Sequence, residues 1–164
     1  MKISEEYVVK QVVKFLEKKP DGNWNHDKTV INSNHEHGAD IIMVGGKKCG
    51  EHFCIECKGK SYAKSANVIN KEGWLTALGQ LIQRIDVNRF TKSKNDKSKS
   101  TINRAYKYGL GLYWISAQVA LRRIPKSVAQ ALNLYIFSVS DKGVVKQFTP
   151  SQFGKEYPDG LFKR

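Results

Sequence analysis

The chain has 164 residues, 40% of them apolar and 26% charged, the proportions of a globular domain long enough to bury a core. No apolar run nears the ~20 residues that span a bilayer, and the opening MKISEEYVVK lacks a secretory pattern, so a cytoplasmic protein with no membrane partner is expected. The formal net charge of +13 favours a polyanion, and nucleic acid leads because no basic amphipathic helix points to a lipid surface.

Ser4 to Lys19 reads as an amphipathic helix. Ser4 is its N-cap, Glu5 and Glu6 complement the positive end of the helix dipole, and Pro20-Asp21-Gly22 stops it. Tyr7 or Val8, Val12, Phe15 and Leu16 share the face expected to meet a sheet. A first strand is expected between Asn23 and Asn34, centred on Val30 and Ile31.

The next stretch, His37 to Lys60, carries the chemistry. It reads as two apolar strands, Ala39 to Val44 and His52 to Lys58, joined by a turn rich in Gly and Lys. Alternation puts Glu56 and Lys58 on one face of the second strand, and Phe53, Ile55 and Cys57 on the other. A hairpin would bring Asp40 beside Glu56 and Lys58. Two adjacent carboxylates repel, and a hard divalent ion relieves that repulsion. Mg²⁺ needs only one or two protein carboxylates beside its waters. The expected ligands of such an ion, Mg²⁺, are Asp40 and Glu56, with Lys58 positioning water or neutralising charge. The bland alternative is an ordinary surface Asp and a Glu-Lys pair at a strand end.

Cys49, Cys54 and Cys57 with nearby histidines raise the question of zinc. Their spacing matches no knuckle pair, Cys54 and Cys57 fall on opposite strand faces, and no second cysteine pair completes a tetrahedron. Reduced thiols are expected instead.

Gly59 to Asn70 reads as a polar loop, either a run whose Lys60 and Lys64 follow a nucleic-acid backbone or equally a solvated coil. Lys71 to Phe90 reads as a long helix burying Trp74, Leu75, Leu78, Leu81, Ile82 and Ile85. Gln80 and Arg84, four apart, share a face of it. Thr91 to Lys107 is the most biased segment: Lys92, Lys94, Lys97, Lys99, Arg104 and Lys107 against the single Asp96. It is expected to be mobile and to track phosphates rather than read bases. Gly109 to Ile115 suits a buried central strand. Two helical pieces follow, Ala117 to Arg122 and one opened by Pro125. Leu134 to Ser140 and Val144 to Phe148 form a hairpin about Asp141-Lys142-Gly143, and the tail from Pro150 is expected to pack loosely. The sum is an α/β chain: a mixed central sheet flanked by helices, in one domain.

Gly38-x-Asp40 followed by Glu56-x-Lys58 resembles the PD-(D/E)XK nuclease superfamily, and within it the branch of Mrr-type restriction enzymes and archaeal Holliday-junction resolvases. Ala39 stands where the superfamily's name has Pro. The resemblance implies a restriction-endonuclease-like αβββαβ core and a metal-dependent endonuclease acting on DNA, with RNA not excluded. It assigns Asp40 and Glu56, with the backbone carbonyl of Cys57, to a bound Mg²⁺ or Mn²⁺, and Lys58 to the attacking water. It also suggests Gln80 as a water- or phosphate-positioning group, Arg84 as a charge-neutralising contact, Glu5 or Glu6 as a further acid, and His37 as a phosphate contact. Cutting two strands needs two sites, so a homodimer is plausible. The rival reading is a nucleic-acid-binding module that keeps the fold without cutting.

Overall fold

The computed structural model describes residues 3–19, 24–26, 39–45, 51–61, 66–85, 106–158 and 160–163. Among the described residues six strands form one sheet in the order β1-β2-β3-β4-β5-β6. They are β1 Asn25–His26, β2 Ile41–Gly45, β3 Glu51–Lys58, β4 Tyr106–Tyr113, β5 Leu134–Val139 and β6 Val145–Phe148. The sheet is mixed: β3, β4 and β5 run parallel, while β1/β2, β2/β3 and β5/β6 are antiparallel. The fold is α/β with helices on both faces.

Helix α1, Glu5–Glu17, covers one face. Its Ser4 side chain accepts the Tyr7 N–H at 3.2 Å, satisfying a donor that the first turn leaves open. Val8, Val12 and Leu16 are buried at helical spacing against Ile41, Met43, Phe53, Ile55 and Phe137. The other face carries α2 Ala66–Gln83, α3 Trp114–Arg123 and α4 Lys126–Ala131. There Trp74, Ala77 and Leu81 pack with Leu110, Leu112, Ala117 and Leu121. β4 serves both layers through its alternation: Leu110 and Leu112 point to α2, and Gly109 and Gly111 point to α1. A Cβ on Gly111 would stand 2.6 Å from the Cys57 sulfur, so the missing side chain is what lets β3 bury its thiol beside β4.

Several expectations are corrected. The described first strand is the short edge pair Asn25–His26, and Val30 and Ile31 lie outside the described residues. Helix α2 begins at Ala66, inside the stretch expected to be loop. Leu75 and Ile82 are not core; they are 50% and 51% exposed. The buried stripe is centred on Trp74, Ala77 and Leu81, so residues one step away on either side turn outward. The tail is not loose: Phe153 and Phe162 are each 1% exposed, in the same cluster as Leu121 and Phe148. A short 3₁₀ turn, Pro150–Gln152, and α5, Gly160–Lys163, carry those rings inward.

Candidate metal centre

The β2/β3 pairing sets Ile41 opposite Ile55, so Asp40, one residue ahead of β2, comes level with Glu56. The Cys57 N–H donates to Asp40 Oδ2 at 2.6 Å and fixes that carboxylate at the strand end. Glu56 lies on the α2 face and is 0% exposed. Its carboxyl is raised from 4.5 to about 7, first by burial and then by the negative charge of Asp40, while Arg84 and Lys58 oppose the rise. Cys57 points to the α1 layer. Burial pushes its thiol well up, helped by the carboxylates of Asp40, Glu56 and Glu5, so only its backbone is available to the centre.

Helix α2 supplies the wall opposite these groups. Gly73, Ala77, Gln80 and Arg84 follow one another at steps of four, three and four, the spacing of a single face. A Cβ at Gly73 would sit 3.8 Å from the Lys58 Cβ. At the other end of the stripe, just past the helix, the Arg84 guanidinium forms an ion pair with Glu56. Gln80 Oε1 and Glu56 Oε2 are both buried and lack a hydrogen-bond partner among the described residues. Such atoms are costly to leave unmade and mark where a ligand's donor or a cation fits.

Lys58 reaches the other way, to the first turn of α1, where its Nζ is 2.8 Å from Glu5 Oε2. The backbone explains the meeting. The Lys60 N–H donates to the Ile3 carbonyl at 2.8 Å, and Gly59 lies so close to Ser4 and Glu5 that a Cβ would be 2.5 Å from their backbone. Of the two first-turn acids, Glu5 is the one that meets Lys58; Glu6 is exposed.

Lys60 is held rather than free on a loop. Its Nζ is 3.6 Å from Asp141 Oδ1 and 5.1 Å above the Tyr113 ring. Asp141 also accepts from the Tyr113 hydroxyl at 3.2 Å and from Trp114 Nε1 at 3.1 Å. Burial raises the Tyr113 phenol, with Lys60 acting against that rise. Sequence reasoning saw Asp141 only as a turn residue. Its partners lie 27 and 28 positions away, and no local pattern announces the pairing.

Asp40, Glu56, Lys58, Gln80, Arg84 and Glu5 are therefore gathered about the ends of β2 and β3. His37, Lys64, Lys92, Lys94, Lys97, Lys99 and Arg104 lie outside the described residues. Cys49 does also, and Cys54 and Cys57 occupy opposite layers. Among the described residues no three His, Cys, Asp or Glu side chains group closely enough to hold a metal. The donors present suit a hard cation that keeps most of its water: two carboxylates, one of them buried with an unpartnered oxygen, beside a strand-end carbonyl. Among the described residues no helix is long and apolar enough to cross a membrane. Neither protein-family models, nor curated proteins, nor solved structures offer a match to this chain.

Proposed function

We propose that this chain is a Mg²⁺- or Mn²⁺-dependent endonuclease acting on DNA, of the PD-(D/E)XK kind. The observation that carries the reading is the pairing of Asp40 with Glu56, whose buried Oε2 has no hydrogen-bond partner among the described residues, at a strand end that also bears Lys58. Asp40, Glu56 and the Cys57 carbonyl are the groups that would hold the ion, which supplies a lowered pKa for bound water and charge neutralisation at phosphorus. Lys58 donates toward the attacking water or a nonbridging oxygen once it leaves Glu5. Gln80 orients water or phosphate through its open amide oxygen and its amide N–H groups. Arg84, paired with Glu56 in this structure, would be available to the scissile phosphate if that carboxylate held a cation. The net charge of +13 brings the polyanion to this small centre before chemistry begins.

The test is cleavage of supercoiled plasmid and of a four-way junction with Mg²⁺, Mn²⁺ or EDTA, using Asp40→Ala and Lys58→Ala alongside. Nicking that needs the metal and disappears in both variants supports the reading. A second reading draws on the ion pairs themselves. Arg84 already neutralises Glu56 and Glu5 already engages Lys58, so the cluster is compensated without metal, as in a module that binds nucleic acid and does not cut. Tight, salt-sensitive binding without cleavage, unchanged in both variants, would select it.

A further inference from the structure

A cleft of about 330 Å³ opens on the α2/α3 layer, away from the carboxylates. Its walls bring Lys71 of α2, Arg122 of α3 and Lys155 of the C-terminal tail around one opening, against the single acid Glu156. The Arg122–Glu156 ion pair here is weak: Arg122 Nη1 and Glu156 Oε1 are 3.9 Å apart, with both side chains mostly exposed. Ile115, Val119 and Tyr157 give the cleft an apolar wall.

The cleft is built, not incidental. The Gly154 N–H donates to the Leu121 carbonyl at 2.7 Å, which fixes the tail at the end of α3. Gln118 Nε2 donates to the Tyr157 carbonyl at 3.3 Å, and the Tyr157 hydroxyl donates to the Gln152 carbonyl at 2.9 Å. The cleft shares helix α2 with the candidate centre. Gly73, two residues after Lys71 and turned to another face of α2, has its Cβ position 3.3 Å from Ser116 Oγ and 3.8 Å from Lys58 Cβ. Ser116 in turn accepts the Trp74 N–H at 2.8 Å, holding the start of α3 to α2.

We propose that this cleft binds the phosphodiester backbone of the DNA strand where it passes beyond the cleaved bond; the assignment rests on the nuclease reading for its substrate. From Ile115 to Arg122 the helix rises about 10 Å, roughly the span of three nucleotides in one strand. Lys71, Arg122 and Lys155 each take a phosphate oxygen of that strand. Contacts of this kind set register and carry no sequence information.

The test is binding of a labelled DNA duplex in EDTA between about 50 and 200 mM salt. It uses the Arg122→Glu/Lys155→Glu protein, with Lys10→Glu/Lys14→Glu on α1 as the control of equal charge change. The cleft variant is expected to bind about tenfold more weakly and to lose about 2 from the log–log salt slope, while the control keeps its slope. Equal losses in both proteins, or an unchanged slope in the cleft variant, overturn the proposal. So does displacement of DNA from wild type and cleft variant alike by a poly-glutamate peptide at matched charge. Because binding is read without metal, this result is separate from plasmid cleavage, whose absence would overturn the nuclease reading instead.

Discussion

The Lys58 ammonium stands 2.8 Å from the Glu5 carboxylate, joining the last residue of β3 to the first residue of α1. Glu5 is half exposed, so the pair contributes at most ~1 kcal/mol to stability and its importance is positional. Glu5→Gln should leave the urea midpoint nearly unchanged while it frees Lys58. If Lys58 serves the reaction, metal-dependent cleavage should change severalfold with stability constant. A loss of stability parallel to a loss of activity would mean that the pair is structural.

Gly59 holds that geometry. A Cβ there meets backbone atoms of Ser4 and Glu5 at 2.5 Å, and backbone cannot turn aside as a side chain can. Gly59→Ala should cost about 1–3 kcal/mol by chemical denaturation and shift the amide resonances of Ile3 to Tyr7. Gly79→Ala is the counterpart, because a Cβ there has nothing within 4 Å among the described residues. It should be neutral or slightly stabilising, by up to about 1 kcal/mol. Equal costs at the two positions would refute the packing argument.

The layers were legible in the sequence because strand alternation and helix spacing are local. Glu56 and Lys58 fall on one face simply by being two apart, and Val8, Val12 and Leu16 by being four apart. What escaped is set by contacts distant in sequence. Nothing near Asp141 tells that it accepts from Tyr113 and Trp114, or near Arg84 that it pairs with Glu56. The choice of Glu5 over Glu6 is likewise made by the approach of Gly59, not by the helix that carries both. Phe153 and Phe162 looked like parts of a loose tail because their Pro- and Gly-rich surroundings hide the ring cluster they complete.

The α2 stripe offers a direct check on the corrected register. Leu75→Lys and Ile82→Lys alter half-exposed positions and should each shift stability by no more than ~0.5 kcal/mol. Leu81→Ala empties a fully buried position and should cost about 2–5 kcal/mol. A large loss at Leu75 or Ile82 in a protein that sediments as a dimer would place them in an interface between copies instead.

Glu56 makes stability depend on pH. Its carboxyl lies near 4.5 in the open chain and is raised to about 7 in the fold by burial and by Asp40. The unfolded chain therefore releases this proton first as pH rises. The contribution is fully present below about 4.5 and is lost by the time pH passes about 7. Across that window wild type should lose on the order of 3 kcal/mol relative to Glu56→Gln, which has no such proton. Thermal melts of both proteins at matched ionic strength read the difference, and parallel profiles would show that burial at this position is relieved by water.

Arg84 is the cation that makes an ionised Glu56 tolerable. Arg84→Ala leaves a fully buried carboxylate with no guanidinium beside it, a change that costs about 3–5 kcal/mol where the acid is charged. The cost must shrink on acidification, because a protonated Glu56 needs no counter-ion. Denaturation of wild type and Arg84→Ala at pH values on either side of the Glu56 titration should show a gap that is wide on the alkaline side and narrow on the acid side. Mg²⁺ then distinguishes the two functional readings. In a metal-binding centre the ion substitutes for the lost guanidinium, so millimolar Mg²⁺ should recover much of the stability of Arg84→Ala and little of Asp40→Ala/Arg84→Ala, which lacks the second carboxylate. If Mg²⁺ affects neither variant, the Glu56–Arg84 pair is a closed structural contact and the non-cutting module becomes the better account of the chain.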